Sequence, residues 1–418
     1  METVGRKTGE INRILYSSLV DVSRSDGPGV NERGFLRDMS GRFGGRLLAV
    51  IPRPTGPMPP ELEDVQVEYV PVHGSLRQPL GWMQIRALGL VLLPRAIRRF
   101  DPDLVVLRTG SLPLSHFFAL RSTGVPYVIK TAGDVTHQRF YSVSPWRRAL
   151  RRLNDRIFGE LLLGAVAIDV VSEDQRDAMV RRFPELVSKV TVIDNGVELD
   201  LFSADPSPKE RQRFGFADGE VVLGYVGSFP MQRGGKEVID AISDLRRRYP
   251  VKGLIVGDSG ERSELERYAR SQGVTDVVVI YGHAEYSEVP DLMSAMDIGL
   301  SIHRPEERGM SEQKVRQYLA SGLAVVGTEA SNDFLRGHPF ARVVSSHRTA
   351  EVVEGAASLV SLGRDGLVHL RTFSRAFARD NLSLAERNDR RITLWRHAIQ
   401  RKPAPGGPVA RGSDSRGG

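Results

Sequence analysis

Short apolar runs alternate along this chain with stretches whose apolar residues recur at helical spacing. In the first half the runs are Arg13–Tyr16, Arg46–Ile51, Val65–Val70, Leu104–Leu107, Tyr127–Ile129, Ala167–Val171 and Val190–Ile193. In the second half they are Val221–Val226, Gly253–Val256, Val277–Tyr281, Ile298–Ile302, Ala324–Val326 and Arg342–Val344. They are rich in Val, Ile and Leu and show little polar alternation, as strands do when helices cover both faces. The pattern therefore predicts an α/β fold with parallel sheets.

Between the two sets lies Asp194-Asn195-Gly196, a turn signal, followed by a polar stretch from Ser203 to Gly219 that contains Pro206 and Pro208. That stretch is expected to join two units. After about residue 345 no strand pattern appears, and helical spacing continues to about Arg401. A chain of 418 residues exceeds one ordinary core and suits two domains. The expected boundaries are a flexible N-terminus at 1–10, one domain at 11–200 and a second at 201–374. A helix at about 375–401 is expected to pack back on the first domain, and the Pro/Gly/Ser/Arg-rich tail 402–418 is expected to be disordered.

Composition narrows the chemistry. An apolar fraction of 40% with 26% charged residues is that of a folded, water-soluble protein. There is no cysteine, which removes disulfides, thiolate catalysis and Cys-ligated metals, and fits a cytoplasmic setting. The polar segment Met1–Glu10 lacks the apolar core of a signal peptide, and the greasiest run, Leu80–Leu93, is broken by Gln84 and Arg86. The formal charge of +7 comes without a zinc finger, an RNA-binding aromatic signature or a long basic block, so nucleic acid is not expected as a partner.

Two stretches of the second half carry candidate anion chemistry. The segment Ser311–Val326 is expected to be a helix beginning near Ser311, ending at Gly322 and running into a buried strand. Lys314 and Gln317, three residues apart, share a face and differ by about 4.5 Å along the axis. They are either a solvated helix face or a phosphate and ribose contact beside a positive helix end. The segment Gly224–Lys236 is a strand, a loop marked by Gly227, Ser228 and the Arg233-Gly234 pair, and then a helix. Such loops hold phosphate with backbone amides and a side-chain cation.

Taken together, Gly227, Arg233-Gly234, Ala295-Met296-Asp297-Ile298-Gly299-Leu300 and Lys314 to Val326 resemble the C-terminal domain of family-4 retaining glycosyltransferases. Ile193-Asp194-Asn195-Gly196-Val197-Glu198-Leu199-Asp200-Leu201-Phe202 is similar to that family's domain-crossing segment. The resemblance covers about residues 13–400 and implies the GT-B fold, two facing Rossmann-like domains with a cleft between them. It makes 11–200 the acceptor domain and 201–374 the nucleotide-sugar domain. By the same resemblance Arg233 and Lys314 contact the donor diphosphate, Gln317 stands where the family usually has a ribose-binding glutamate, and His283 lies near the nucleobase. The sequence falls in a Lys-x-x-Glu-Tyr subgroup, with Gln in place of Glu.

In the first half, Ser23–Asn31 resembles the family's first glycine loop, with Gly29 approaching donor phosphate; an ordinary glycine turn is the other reading. Lys130-Thr131-Ala132-Gly133-Asp134 matches a subgroup with lysine, two residues and Gly-Asp, where many members have histidine at the position of Ala132. Lys130 and Asp134 are thus candidates near the reacting sugar, although an Asp in a loop is as often a turn or cap residue. A helix beginning at Ser144-Pro145-Trp146 presents basic residues from Arg147 to Arg156. They are either a solvated face or a peripheral contact with anionic lipid headgroups at the inner face of the membrane.

The resemblance implies sugar transfer, with retention, from a nucleotide-sugar co-substrate, UDP- or GDP-linked, to a glycan, lipid-linked or small-molecule acceptor in polysaccharide or cell-envelope synthesis. No further cofactor and no metal site is expected, since no Asp-x-Asp motif demands a divalent ion. Gln317, Ser228 (a position often arginine) and Ala132 depart from the family pattern. They keep open a catalytically weak scaffold homologue and, as a second enzyme class, a nucleotide-sugar epimerase of similar fold.

Overall fold

The computed structural model describes residues 10–70, 91–109, 114–131, 156–202, 207–228, 230–257, 260–305 and 311–400. The expectations for the N-terminus up to residue 9, for Ala132 and Asp134, for the basic segment 144–155 and for the tail 402–418 lie outside these residues.

The chain forms two parallel-sheet Rossmann-like domains of GT-B architecture. The first sheet contains β1 (Ile14–Ser17), β2 (Leu47–Pro52), β3 (Val67–Val70), β4 (Leu104–Thr109), β5 (Tyr127–Thr131), β6 (Ala167–Val170) and β7 (Val190–Val192). The second contains β8 (Val221–Val226), β9 (Val251–Val256), β10 (Val278–Gly282), β11 (Ile298–Ser301), β12 (Ala324–Thr328) and β13 (Ala341–Val344). These elements fall on the apolar runs, with ends displaced by a residue or two. β1 registers Ile14 against both Leu47 and Leu104, and its four residues are all buried. Alternate residues of the strand feed opposite cores: Leu15 lies with Leu107 and Ile129, whereas Ile14 and Tyr16 lie with Phe35 and Trp395. That two-sided burial is why the runs lack polar alternation.

Strand order places the site. The sheets run β3-β2-β1-β4-β5-β6-β7 and β10-β9-β8-β11-β12-β13. The order reverses between β1 and β4 and between β8 and β11, and ligands of open α/β sheets bind outside the strand C-termini at such points. The loops after β1, β4, β8 and β11 are therefore the ones to inspect.

Two passes of chain join the domains side by side. The Val197 amide donates to the Leu382 carbonyl at 2.8 Å, and the Leu384 amide donates to the Val197 carbonyl at 3.0 Å. The Asp194-Asn195-Gly196 signal is thus an extended passage, and its glycine serves close approach: a Cβ at Gly196 would lie 2.4 Å from Leu384 Cα. The helix Gly363–Asn381 stays on the second domain, where Arg371 donates to the carbonyls of Ser321 and Met296 at 2.9 and 2.8 Å. The next helix, Leu384–Gln400, returns to the first domain and buries Trp395 completely. The crossing falls at Leu382–Leu384 rather than near 375, because the Arg371 contacts hold the preceding helix where it is. Among the described residues no helix is long and apolar enough to cross a membrane.

Candidate functional site

The facing C-terminal edges of the two sheets enclose a cleft of about 420 Å³, a volume suited to a small-molecule ligand. From the second domain it is lined by Gly227, Ser228, Arg233, Lys314 and Gln317, and from the first by Arg24, Pro28 and Arg108.

The loop after β8 is shaped by three close glycines. Gly227 and Gly257 take φ of 143° and 125°, a region that disfavours side chains, and a Cβ on Gly257 would come within 1.9 Å of the Gly227 carbonyl oxygen. The Tyr225 hydroxyl donates to the Ser228 carbonyl at 2.5 Å and fixes the turn. Gly234 has φ 132°, and a Cβ there would press within 2.9 Å of the Tyr225 ring, so this glycine seats the helix Gly235–Leu245 against the strand. Arg233 ends the short helical turn Pro230–Arg233 just before it and lines the cleft.

The helix Gln313–Ala320 supplies the other half. Lys314 is buried, with Nζ 3.5 Å from the Arg233 carbonyl oxygen, 4.8 Å from the centre of the Tyr225 ring and 3.7 Å from Glu312 Oε2. Lys314 thus reaches the backbone of the Arg233 turn from a separate element. Gln317 lies on the same face and lines the cleft together with Tyr286. The helix ends as its glycine foretold, with Gly322 at φ 80° after the cap. Its start differs: Glu312 is the N-cap residue and provides no side-chain cap.

Two expected donor residues stand elsewhere. His283 is largely exposed beside Glu285, at 3.6 Å, and does not line the cleft. Gly29 gives its amide to the Asp26 carboxylate at 3.0 Å, so that amide caps the helix Gly27–Phe43 instead of facing a ligand. A Cβ on Gly29 would meet the Arg24 carbonyl oxygen at 2.2 Å, and the glycine is needed for that tight entry. Arg108 holds the loop from below through the Pro28 carbonyl at 3.2 Å and an ion pair with fully buried Glu32.

Lys130 belongs to this support and does not line the cleft. Its side chain is 2% exposed, its Nζ lies 5.0 Å from the centre of the Phe35 ring, and its charged neighbours are Arg108, Arg391, Glu32 and Asp169. Three cations against two carboxylates leave one positive charge in excess, and a neutral lysine restores the balance. Burial first, then Arg108 and Arg391, bring its pKa down to about 7. The unfolded chain holds the Lys130 proton up to the ordinary lysine value of 10.5, whereas the folded chain releases it near 7. Folding stability should therefore rise with pH across that interval, the cost of the buried charge being fully present below it. Lys130→Met is expected to remove this rise and to stabilise the protein at acidic and neutral pH. Urea unfolding at about pH 6.5 and about pH 9 checks it; an unchanged pH slope in the variant would refute the assignment.

Several lining residues carried weak or no sequence signals. Arg24 sits within the glycine-loop segment, and Arg108 ends an apolar strand at a sheet edge where ligands collect. Tyr286 and Glu312 had none, because their partners are far away in sequence. Asn195 is set by its amide and side-chain bonds to Ser311 at 3.2 and 3.0 Å. Among the described residues there is no group of three or more His, Asp or Glu side chains placed to hold a metal ion.

Comparison with known proteins agrees with this geometry. Residues 44–201 match the family model described as Glycosyltransferase Family 4, and residues 220–362 match that described as Glycosyl transferases group 1. The 2-deoxystreptamine glucosyltransferase of Streptomyces kanamyceticus is 27% identical over 269 residues, 56% of this chain and 65% of the relative. The alpha-D-kanosaminyltransferase of the same organism is 25% identical over 210 residues, 48% of this chain and 53% of the relative. The chain thus spans between half and two thirds of the length of these curated relatives. Among solved structures, Anabaena HepE in complex with UDP and glucose superposes with a TM-score of 0.71 at 18% identity, over 92% of this chain and 99% of that one. WaaG, a glycosyltransferase of lipopolysaccharide biosynthesis, gives 0.63 at 16% identity, over 91% and 99%.

Proposed function

We propose that this chain, which carries a Glycosyltransferase Family 4 domain at 44–201 and a Glycosyl transferases group 1 domain at 220–362, transfers a sugar from a UDP- or GDP-sugar to an acceptor hydroxyl with retention of configuration. The observation that carries this reading is the meeting of the Lys314 ammonium with the Arg233 turn in a cleft at both strand-order reversals. Negative charge grows on the nucleotide diphosphate as the glycosidic bond breaks. Two cations already held in a partly buried cleft stabilise that charge without reorganising at the moment of reaction. Ser228 and Gln317 line the same wall and are proposed as donor contacts, with Gly227 and Gly234 shaping it.

The acceptor is proposed to enter from the first-domain side, past Arg24 and the Pro28 turn, and to be a glycan, a lipid-linked glycan or a small molecule. One of the named relatives is a 2-deoxystreptamine glucosyltransferase, which supports the small-molecule class. The setting proposed is the cytoplasm, in keeping with a chain free of cysteine. Asp134 is retained as a candidate near the reacting sugar.

Incubation with UDP-, GDP- and CDP-sugars, each with and without a panel of acceptors, tests the reading. The expected result is nucleotide release from a UDP- or GDP-sugar that an acceptor accelerates, with a product whose anomeric configuration by NMR is that of the donor. Isomerisation of the sugar without an acceptor would make the protein an epimerase, and release from no donor would leave a scaffold.

A further inference from the structure

The helix Gln313–Ala320 carries Lys314 and Gln317 to the cleft, yet little of its own makes its entry rigid. It has eight residues, fewer than the roughly 12–15 that an isolated helix needs in water, and its N-cap residue Glu312 gives no side-chain cap. Its start is held instead by the passage that crosses between the domains. The Asn195 amide donates to Ser311 Oγ at 3.2 Å, and Asn195 Nδ2 donates to the Ser311 carbonyl at 3.0 Å. Gln313 Nε2 donates to the Gly196 carbonyl at 3.0 Å.

Arg316 is the central tie. It lies between Lys314 and Gln317 in sequence but is buried and does not line the cleft. Its Nε donates to the Asn195 carbonyl at 2.7 Å, its Nη2 to Asp194 Oδ2 at 2.9 Å, and its Nη1 back to the Glu312 carbonyl at 2.9 Å. One planar guanidinium thus joins the first turn of the helix to two residues of the passage, a fork that a lysine does not reproduce. Asp194 extends the tie. Its Oδ1 pairs with Arg387 Nε at 2.5 Å, and Arg387 belongs to the helix Leu384–Gln400, which packs on the first domain.

We infer, on the donor-site reading above, that Arg316 and Asp194 are positioning residues: from the crossing passage they fix the entry of the helix, and with it Lys314. Neither touches the nucleotide. Lys314 stands in the turn that Arg316 ties, and a misplacement of about 1 Å by a change away from the ligand can cost a large factor. Removing Arg316 does not strand Asp194, which keeps Arg387, so the variant is expected to fold. In Asp194→Asn the amide oxygen still accepts from Arg316, and Arg391 still holds the backbone carbonyl of residue 194. In Asp194→Ala the side-chain acceptor is gone.

The experiment is calorimetry with UDP and GDP on the full-length parent, Arg316→Gln, Asp194→Asn, Asp194→Ala, Lys314→Ala and the Arg316→Gln/Lys314→Ala double variant. Thermal unfolding fixes a temperature at which each is folded. Arg316→Gln and Asp194→Ala are each expected to weaken diphosphate binding by about tenfold, the worth of one hydrogen bond to a charged group. Asp194→Asn is expected to lower Tm, as Asp194→Ala does, yet to keep affinity within about threefold of the parent, a split that a merely structural role would not produce. With Lys314 already removed, Arg316→Gln is expected to cost less than about threefold more, because the group it positions is gone. Parental affinity in Arg316→Gln beside a loss in Lys314→Ala overturns the positioning. So does an equal loss in Asp194→Asn and Asp194→Ala, or an equal cost of Arg316→Gln with and without Lys314. A parent that binds neither nucleotide, or a Lys314→Ala protein with parental affinity, refutes the donor-site reading and the positioning with it.

Discussion

Lys314→Ala is expected to weaken nucleoside-diphosphate binding by more than about tenfold and to cut turnover by a further ~10²–10³-fold, the usual cost of removing one donor to developing charge. Three features put the effect at the upper end. The side chain is only 7% exposed, so its charge works in a medium less screened than water. It reaches the Arg233 carbonyl, so its loss also loosens the turn that carries the second cation. Glu312, 3.7 Å away, loses this cation as a neighbour while still facing the incoming phosphate. Adding Glu312→Gln should then restore part of the affinity, although it restores no cation. Calorimetry with UDP and GDP, alongside single-turnover rates, separates the two contributions. A Lys314→Ala protein with parental affinity and turnover would remove Lys314 from the donor site.

Arg391→Ala is expected to be the most destabilising single change, at about 3–5 kcal/mol, because it strands a buried charge. Arg391 is 2% exposed and lies on the returning helix. Its Nε donates to Asp169 at 2.8 Å, and its Nη2 donates to the Ile193 and Asp194 carbonyls at 3.1 and 3.2 Å. Without it, Asp169 remains buried beside β7 with its partner gone, and the crossing passage loses two donors. The neighbouring Asp194 is held by Arg316 at 2.9 Å and Arg387 at 2.5 Å. Burial alone would raise its carboxyl, yet those two guanidinium groups keep it below its ordinary value. The damage should therefore reach the hinge as well as the helix. Urea unfolding is expected to show a lower midpoint and, with the terminal helix freed, a broadened transition. An unfolding free energy within about 0.5 kcal/mol of the parent, the spread typical of surface changes, would contradict this assignment.

The parts of the molecule written in one place in the sequence were legible there. The strands were visible because two-sided burial demands unbroken Val, Ile and Leu, and the end of the helix Gln313–Ala320 was visible because its glycine takes a positive φ. Arg233 stands out in the sequence at a strand-to-helix loop and Lys314 by sharing a helix face with Gln317, and their proposed phosphate role comes from the family resemblance. What lay hidden was long-range. The Asp194-Asn195-Gly196 signal promised a turn, since nothing nearby says that Leu384 will lie against Gly196. The helical spacing from 363 to 400 ran almost without a break, so the crossing at Leu382–Leu384 could not be located from periodicity. Gly29 looked like a free amide until Asp26 was seen to take it. Tyr286 and Glu198 stand 88 residues apart in the chain, and only folding brings the phenol to the carboxylate.

The central claim is that cations from two separate elements grip one diphosphate. Calorimetric titration of UDP or GDP, each beside its monophosphate, into the parent, Arg233→Ala, Lys314→Ala and the double variant measures it most directly. The parent is expected to prefer diphosphate over monophosphate by at least about tenfold, each variant to lose most of that preference, and the double variant to lose less than the sum, because both side chains serve one ligand. Equal affinity for mono- and diphosphate in the parent, or an unchanged preference in both single variants, would contradict it.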